Sequence, residues 1–224
     1  MVERASHAET VGVIGLGAMG LGTATALLEA GLAVIGCDIS DVAREAFESR
    51  GGTSVDTPAE LARRCSVVLV IVVNAEQVES VLFGETGVVN RLASGSVVMQ
   101  CATVAPSYAK ALGERLDAVG LLMLDAPISG GAVKARQGRL SVMASGSEAA
   151  YAKAKPVLDA MAETVHRLGD APGAGSSVKL VNQLLAGVHI AAATEAMALG
   201  IRMGIDPDTL FDVITHSAGN SWMF

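Results

Sequence analysis

The sequence is poor in cysteine and in aromatic residues. Of its 224 residues, 3 are cysteine and 3% are aromatic, whereas 51% are hydrophobic and 25 are glycine. Cys37, Cys65 and Cys101 are far apart and form no CxxC pair, so their number and spacing predict neither a disulfide framework nor a metal site. We expect three buried thiols in a reducing cytosol, no bound metal, and a helix-rich globular protein with tight turns.

Basic clusters and long apolar runs are also missing. The formal net charge is −7 and no stretch gathers Lys and Arg, which argues against nucleic acid as a partner because phosphate neutralisation needs such a cluster. The aliphatic run 67–73 is too short to span a bilayer, and His189, Thr194 and Glu195 interrupt the longer apolar stretch 184–201. The polar N-terminus has no signal-peptide core. We therefore expect a cytoplasmic protein with no membrane partner.

Short β-branched runs alternate with segments of helical periodicity over the first 170 residues. "TVGVIG" (10–15), "AVIGCD" (33–38) and "SVVLVIVV" (66–73) are typical of strands, and the stretch 18–31 between the first two is typical of a helix. Because the strands are almost continuously apolar, they predict a mostly parallel sheet covered by helices on both faces. The expected fold class is α/β, with a Rossmann-type doubly wound sheet.

Only helices are predicted beyond residue 170. A long helix is expected over 176–204 and another over 206–216. The apolar surface that the long helix would expose indicates a homo-oligomer. We predict a polar tail over 1–9, an NAD-binding Rossmann domain over 10–172, and the start of an all-α substrate and dimerisation domain over 173–224.

A glycine cluster, "GLGAMG" (15–20), lies between a predicted strand and a predicted helix, in a chain without a P-loop, G-x-S-x-G or H-E-x-x-H motif. In such a G-x-G-x-x-G the glycines allow a sharp turn, the approach of a pyrophosphate, and close helix–strand packing. Asp38 ends the second strand, where a carboxylate accepts hydrogen bonds from the adenosine ribose, and no arginine follows before Arg44, so NAD is favoured over NADP. The alternative is a glycine turn that binds nothing. The residues expected at the cofactor are Gly15, Leu16, Gly17, Ala18, Met19, Gly20 and Asp38.

Two further segments carry candidate site residues, each with an open alternative. Ser129, Gly130 and Gly131, in "DAPISGG" (125–131), can form an anion nest that holds a carboxylate, or simply a loop. Thr103, in "QCATVAP", follows a strand and can contact the nicotinamide or its ribose, or cap a helix.

The long helix begins with an unusual polar group. Lys179, Asn182 and Gln183 share one face in its first turns, where a cation and two amides cost desolvation energy unless something polar meets them. One interpretation is a catalytic lysine that meets a substrate hydroxyl. The other is a lysine that reaches solvent or pairs with a carboxylate.

The motifs "GVIGLGAMG", "DAPISGGAVKARQGRL" and "GAGSSVKLVNQ" occur in this order. Together they resemble the β-hydroxyacid dehydrogenase family, which includes 3-hydroxyisobutyrate dehydrogenase and tartronate semialdehyde reductase. The resemblance spans residues 10–224, and "VVNAEQ", "QCATVAP" and "SAGNSWMF" are most similar to the family's L-threonate dehydrogenase branch. Gln183 departs from the family, since some members carry a second asparagine there. The chain also ends at Phe224 where members continue with further helices, so we expect the C-terminal part of the helical domain to be absent.

The resemblance implies an activity and a set of roles. The first motif would hold NAD(P), the second the substrate carboxylate, and the third would supply the catalytic Lys179, with Asn182 orienting the substrate or the lysine. Asn74 would contact the cofactor. The implied reaction is an NAD-dependent oxidation of a small hydroxy acid, either L-threonate or a close four-carbon sugar acid. The alternatives are a 3-hydroxyisobutyrate dehydrogenase or tartronate semialdehyde reductase type of activity and, in a different class, a non-catalytic NAD-binding scaffold.

Overall fold

The computed structural model describes residues 10–224, and the polar tail predicted over 1–9 lies outside the described residues. The strands are β1 (Val11–Ile14), β2 (Val34–Cys37), β3 (Thr53–Val55), β4 (Val67–Val70), β5 (Val97–Gln100), β6 (Leu122–Asp125), β7 (Ile128–Ser129), β8 (Leu140–Gly146) and β9 (Ala162–Arg167). The helices are α1 (Ala18–Glu29), α2 (Asp41–Glu48), α3 (Pro58–Ala62), α4 (Ala75–Phe83), α5 (Pro106–Asp117), α6 (Gly131–Arg136), α7 (Glu148–Met161), α8 (Ala174–Arg202) and α9 (Pro207–Thr215).

In the described part of the chain the strands form one sheet, in the order β3-β2-β1-β4-β5-β6-β8-β7, with β9 paired to β8. Strands β1 to β6 run parallel to one another, whereas β8 runs antiparallel to β6 and to β7. The predicted α/β class with a mostly parallel, Rossmann-type sheet is confirmed. The strand order changes direction at β1 and β4, so a crevice at their carboxyl ends is the expected place for a ligand.

Helices cover the sheet on both faces, as the uninterrupted apolar strands predict. In β4, Val67 and Leu69 belong to an apolar cluster that also holds buried residues of α1, α6 and α7. Val68 and Val70 belong to a second cluster, with buried residues of α3, α4 and α5. Because successive side chains of a strand point to opposite faces, a strand buried on both sides must be apolar at every position.

The segment "DAPISGG" contains two short elements that the sequence analysis did not predict. Strand β7 has two residues, Ile128 and Ser129, and pairs with Val142 and Ser141 of β8. Helix α6 follows after Gly130, whose φ is +139°. Both elements are too short to repeat a hydrophobic pattern twice, and β7 forms by pairing with the edge of β8. The segment is therefore a short strand and a helix start and not an irregular loop, and the carboxylate-binding role of Ser129, Gly130 and Gly131 stays a prediction.

The described chain divides within α8 into a compact unit that ends at Lys179 and a second unit over 180–224. In the second unit α9 begins after Asp206, whose carboxylate accepts a hydrogen bond from the Thr209 N–H at 2.9 Å. Gly200 of α8 packs so closely on α9 that a Cβ there would lie 2.2 Å from the Leu210 side chain. The domain boundary that we predict after residue 172 stays a prediction.

Candidate active site

The three glycines of "GLGAMG" have different surroundings. Gly15 has a φ of +92°, and a Cβ at this position would lie 2.2 Å from the Ile71 carbonyl oxygen. A Cβ on Gly20 would lie 1.7 Å from the Gly15 carbonyl oxygen. A Cβ on Gly17, by contrast, would meet no atom within 4 Å. The fold itself therefore requires glycine at the first and third positions, whereas the second glycine keeps open space in front of the backbone.

Helix α1 starts at this open space without a cap of its own. Its N-cap residue, Gly17, offers no side chain, and its first turn, which contains Ala18 and Met19, has no acidic residue. The N–H groups and the positive end of the helix dipole are thus left for an anion from outside the chain. Leu16 is buried, and its N–H donates a hydrogen bond to the Asp38 carboxylate. The loop fits the pyrophosphate of a dinucleotide.

Asp38 stands beside the glycine loop at the end of β2. Its Oδ2 accepts a hydrogen bond from the Leu16 N–H at 2.6 Å, and its Oδ1 accepts one from the Ser40 N–H at 2.8 Å. The guanidinium of Arg44 donates to the Asp38 carbonyl oxygen at 2.6 Å and pairs with two other carboxylates, those of Asp41 and Asp56. The half-buried Asp38 carboxylate fits a ribose diol, while the charge of Arg44 is already matched within the chain.

Two other predicted cofactor residues follow parallel strands of the same sheet. Asn74 comes after β4 and caps α4, because its Oδ1 accepts a hydrogen bond from the Gln77 N–H at 2.9 Å. Thr103 comes after β5 and is exposed. The alternative in which Thr103 caps a helix is wrong, since the N-cap of α5 is Ala105, followed by Pro106. The carboxyl ends of parallel strands lie at one edge, so Gly15, Asp38, Asn74 and Thr103 share that edge.

Lys179 is buried in the first turns of α8. Only 7% of the residue is exposed, and its Nζ donates a hydrogen bond to the Ile128 carbonyl oxygen at 2.8 Å. Burial lowers the pKa of this amine below its ordinary value of 10.5. No ion pair of the described residues includes it. The structure therefore contradicts the alternative interpretation of Lys179, in which its side chain reaches solvent or pairs with a carboxylate.

The Lys179 amine lies next to the predicted carboxylate-binding segment. Its acceptor, Ile128, directly precedes Ser129, which is half-buried, and the two glycines Gly130 and Gly131 have φ values of +139° and +74°. Backbone of this kind leaves N–H groups directed away from the chain.

Asn182 follows Lys179 on α8 but belongs to the second unit of the chain. Its Nδ2 donates to the Oε1 of Gln183 at 3.4 Å. The two amides thus meet each other, and Gln183 gains a partner that the sequence analysis did not assign.

The sequence analysis missed Asp125. This residue ends β6, is fully buried, and accepts hydrogen bonds from the backbone of Gly173 and Ser176 at 2.9 Å each. An acid after the apolar run "LLML" is a signal that could have identified it, because a buried carboxylate needs donors from somewhere.

Two family models match the chain. One, described as the NAD binding domain of 6-phosphogluconate dehydrogenase, matches residues 10–169. The other, described as NAD-binding of NADP-dependent 3-hydroxyisobutyrate dehydrogenase, matches residues 173–224. Together the two models cover nearly all of the described residues.

Named relatives are similar over the same span. L-threonate dehydrogenase from Cupriavidus necator is 58% identical over 214 residues, which cover 96% of this chain and 72% of the relative. L-threonate dehydrogenase from Escherichia coli strain K12 is 50% identical over 215 residues, with 96% and 71% covered. A crystal structure of 3-hydroxyisobutyrate dehydrogenase from Salmonella typhimurium is 51% identical, has a TM-score of 0.93, and is matched over 96% of this chain and 75% of that chain.

Within residues 10–224, α8 is the one helix that is long and apolar enough, by length and composition, to cross a membrane. A single such helix is weak evidence, because long apolar helices of soluble proteins pass the same test. The match to the second dehydrogenase model, over 173–224, includes all of α8. The helix is therefore accounted for as part of a dehydrogenase domain.

Proposed function

We propose that this chain, which belongs to the 3-hydroxyisobutyrate dehydrogenase family of NAD(P)-dependent hydroxyacid dehydrogenases, oxidises L-threonate to 2-oxo-tetronate with NAD. The family gives the substrate class, a small hydroxy acid. The choice of L-threonate is supported by the relatives of that name, which are between 48% and 58% identical over 96% of the chain.

The buried amine of Lys179 is the observation that carries the proposal. An amine that is 7% exposed, with a lowered pKa and a carbonyl as its hydrogen-bond acceptor, is suited to exchange a proton with a substrate hydroxyl. In the oxidation, the neutral amine of Lys179 takes the hydroxyl proton of the substrate. In the reverse direction its ammonium donates a hydrogen bond to the carbonyl oxygen and returns the proton.

The segment Ser129, Gly130 and Gly131 would hold the substrate carboxylate. Support comes from its position directly after Ile128, the acceptor of the Lys179 amine, and from the positive φ of both glycines. A carboxylate fixed there orients the hydroxyl carbon toward the amine, and such positioning supplies a large share of catalysis. We assign Asn182 the role of a further hydrogen-bond donor to the substrate, on the family resemblance alone.

The glycine loop and Asp38 would hold the cofactor. A bound dinucleotide would supply the nicotinamide ring as the acceptor for the hydride of the substrate carbon. The N-terminus of α1 would meet the pyrophosphate, and Asn74 and Thr103 would contact the nicotinamide half from the ends of β4 and β5. NAD is favoured over NADP because the Asp38 carboxylate would repel a 2′-phosphate, and because Asp41 and Asp56 already pair with Arg44.

A second candidate substrate is 3-hydroxyisobutyrate. The observation in its favour is the solved structure of that name from Salmonella typhimurium, which is 51% identical to this chain. Both acids present a carboxylate and an oxidisable hydroxyl, so the residues assigned above would serve either one.

A substrate panel tests the proposal. The purified protein is incubated with NAD or NADP and, separately, with L-threonate, D-threonate, 3-hydroxyisobutyrate and glycerate, and NADH or NADPH is followed by absorbance. The expected result is the highest kcat/KM with L-threonate and NAD. A higher value with 3-hydroxyisobutyrate would replace the substrate, and cofactor binding without turnover of any acid would favour the scaffold alternative.

Three further assignments are proposals of the same kind. The free, buried cysteines at positions 37, 65 and 101 support a cytoplasmic location. The exposed apolar residues of α8 support a homo-oligomer. The Rossmann domain is proposed to end at residue 172 and the helical domain to begin at 173.

A further inference from the structure

The start of α8 is tied to the end of β6 by one carboxylate. Asp125 is fully buried, and its Oδ2 accepts hydrogen bonds from the N–H groups of Gly173 and Ser176 at 2.9 Å each. Its Oδ1 accepts a third from the Ser176 hydroxyl at 2.7 Å. A negative group at this position satisfies N–H groups that a helix leaves without partners at its N-terminus.

A second strand takes part in the same attachment. The Ser145 hydroxyl, in β8, accepts a hydrogen bond from the Gly175 N–H at 2.9 Å and donates one to Asp125 Oδ2 at 3.4 Å. Gly175 itself packs directly on the sheet, since a Cβ there would lie 2.3 Å from the Met143 carbonyl oxygen and 2.7 Å from that of Asp125. The first turn of α8 therefore has little freedom to shift or rotate.

Lys179 lies on the face of α8 that this attachment fixes. It lies three positions after Ser176, which corresponds to about 300° around the helix and about 4.5 Å along it. Gly175, Ser176 and Lys179 are all buried, whereas Ser177 and Val178 between them are exposed. A rotation of the first turn would carry the lysine away from its present direction.

The other end of the lysine is held by the same segment of chain. Its Nζ donates to the carbonyl of Ile128, which is three residues after Asp125 and directly before Ser129. Asp125 thus fixes the backbone from which the lysine projects, and Ile128 receives its amine. The short stretch 125–128 sets both ends of the side chain relative to the adjoining glycine segment.

We propose that Asp125 is a positioning residue for Lys179, which holds the amine at the substrate hydroxyl by anchoring the first turn of α8 to the sheet. The proposal rests on the function proposed above, in which Lys179 is the base. Asp125 does not touch the substrate in this account. Its effect passes through the backbone of residues 173–176 and the direction of the lysine.

The side chain must be an aspartate for a geometric reason. All four groups around it donate to it: the N–H groups of Gly173 and Ser176 and the hydroxyls of Ser145 and Ser176. In Asp125→Asn the NH₂ group can donate only to a hydroxyl, which must turn to accept it, and both N–H groups lose a charged acceptor for a neutral, weaker one. In Asp125→Glu the acceptors remain, but the extra methylene pushes the helix start away from the sheet.

The experiment measures turnover and the accessibility of the lysine in the same preparations of the complete protein. Asp125→Asn should lower kcat about 100-fold, the loss expected for a displacement near 1 Å, while the KM for NAD stays within about twofold. Lys179 should be acetylated by the N-hydroxysuccinimide ester of acetic acid faster in Asp125→Asn than in the parent, and mass spectrometry of the peptides measures this rate. The exposed Lys155 is the internal standard and should react at an unchanged rate.

Milder variants guard against loss of the fold. Ser176→Ala removes one donor to Asp125, so kcat should fall by about threefold to tenfold, with the same direction of change in Lys179 acylation. Ser147→Ala is the matched control, because the Ser147 hydroxyl caps α7 through the Ala150 N–H, in the same unit of the chain, and not α8. It should lower thermal stability but leave kcat and the acylation of Lys179 as in the parent.

The outcomes separate the two proposals. If Lys179→Ala is inactive while Asp125→Asn and Ser176→Ala keep the parental kcat and the parental acylation of Lys179, the positioning role is overturned and the base assignment stands. If Lys179→Ala keeps full turnover, the base assignment fails and takes the positioning role with it. Rescue of kcat in Asp125→Glu above the level of Asp125→Asn would support an acceptor role for the carboxylate.

Discussion

At the scale of single residues, the candidate site depends on an amine that is buried without a carboxylate partner. Lys179 is buried with a carbonyl as its hydrogen-bond acceptor, and burial lowers the pKa of its amine. Arg115 shows the ordinary arrangement, since it lies at the surface and pairs with Glu79 at 2.6 Å. An exposed ion pair contributes little to the stability of the fold and is screened by salt. A buried amine, by contrast, loses part of the solvation that favours its charged form, so it gives up its proton more easily.

The pH dependence of turnover follows from this burial. The oxidation requires the neutral amine, so kcat for the oxidation should rise with pH through the pKa of Lys179, with a midpoint below 10.5, the ordinary pKa of a lysine. The reverse reaction requires the ammonium, so its kcat should fall over the same range. Measurement of kcat in both directions from neutral to alkaline pH checks this. A limb at or above pH 10.5 would contradict the effect of burial.

Asp38 should control the choice between NAD and NADP. Asp38→Asn removes the charge that would repel a 2′-phosphate and weakens the acceptor for the ribose hydroxyls. Hydrogen bonds to charged groups contribute about 1.5–3 kcal/mol, so the ratio of kcat/KM for NAD to that for NADP should fall by about tenfold or more. Steady-state kinetics with each cofactor provides the measurement. Asp159→Asn, which removes an exposed acid of α7 that pairs with Lys155, serves as the control and should leave the ratio unchanged.

At the scale of secondary-structure elements, the site residues lie where elements end. Gly15 follows β1, Asp38 follows β2, and Asp125 ends β6, all at the carboxyl edge of parallel strands. The positive end of α1 points to the same edge from Gly17. In this arrangement backbone N–H groups are placed to bind an anion, and side chains at the strand ends are placed to select the cofactor and the substrate.

Two glycines of one motif should respond differently to the same substitution. Gly17→Ala adds a methyl group to open space at a φ of −64°, so the protein should fold with a Tm close to that of the parent. Its NAD Kd should rise by about tenfold or more, because the methyl group blocks the approach of the pyrophosphate. Calorimetric titration with NAD measures the Kd, and thermal unfolding measures the Tm, for Gly17→Ala and for the parent.

Gly20→Ala is the matched comparison. Its Cβ would lie 1.7 Å from the Gly15 carbonyl oxygen, so α1 must move away from the sheet and the Tm should fall markedly. An equal loss of stability in Gly17→Ala and Gly20→Ala would contradict the separate roles assigned to the two glycines.

The sequence predicted those parts of the site whose physics is local. The glycine loop is one example, since Gly15 and Gly20 belong to a single strand–turn–helix unit and the spacing alone indicates their roles. Asp125 is the opposite case, because its partners Gly173 and Ser176, at the start of α8, lie 48 and 51 residues further along the chain. The contact of Lys179 with Ile128 also spans 51 residues. A burial pattern indicated that Lys179 needs a partner, but only tertiary structure could supply its identity.

The same distinction applies to the elements. Strands β1, β2 and β4 were predicted because burial on both faces forces nearly every position to be apolar. Strand β7 and helix α6 were missed because two and six residues are too few to show a period. These short elements happen to adjoin the amine of Lys179, so the sequence was least informative beside the candidate catalytic residue.

At the scale of the whole molecule, the main feature is the apolar surface that α8 exposes. In the second unit its exposed side chains are apolar around much of the helix, and they include Leu180, Val181, Leu184, Leu185, Val188, Ile190 and Leu199. A helix that is apolar on most sides is normally covered by other polypeptide. A second copy of the chain is the cover that we propose.

The mass of the protein in solution tests this proposal. Sedimentation equilibrium or light scattering should give at least twice the 22.7 kDa of one chain. Leu184→Asp places a charge where a leucine is 66% exposed, and it should shift the protein toward the single-chain mass. Val119→Asp introduces the same charge at a valine that is 52% exposed in the other unit, and it should leave the mass unchanged. A parent protein of 22.7 kDa would contradict the oligomer.

The account as a whole depends on Lys179 acting as the base of an NAD-dependent oxidation, and one comparison tests this most directly. NADH formation from L-threonate is measured for Lys179→Ala and for the parent, together with the NAD Kd of both. General-base catalysis contributes about 10²–10⁴-fold, so kcat should fall by that factor while the Kd stays within about twofold. Turnover by Lys179→Ala within about fivefold of the parent, far less than that factor, would contradict the account.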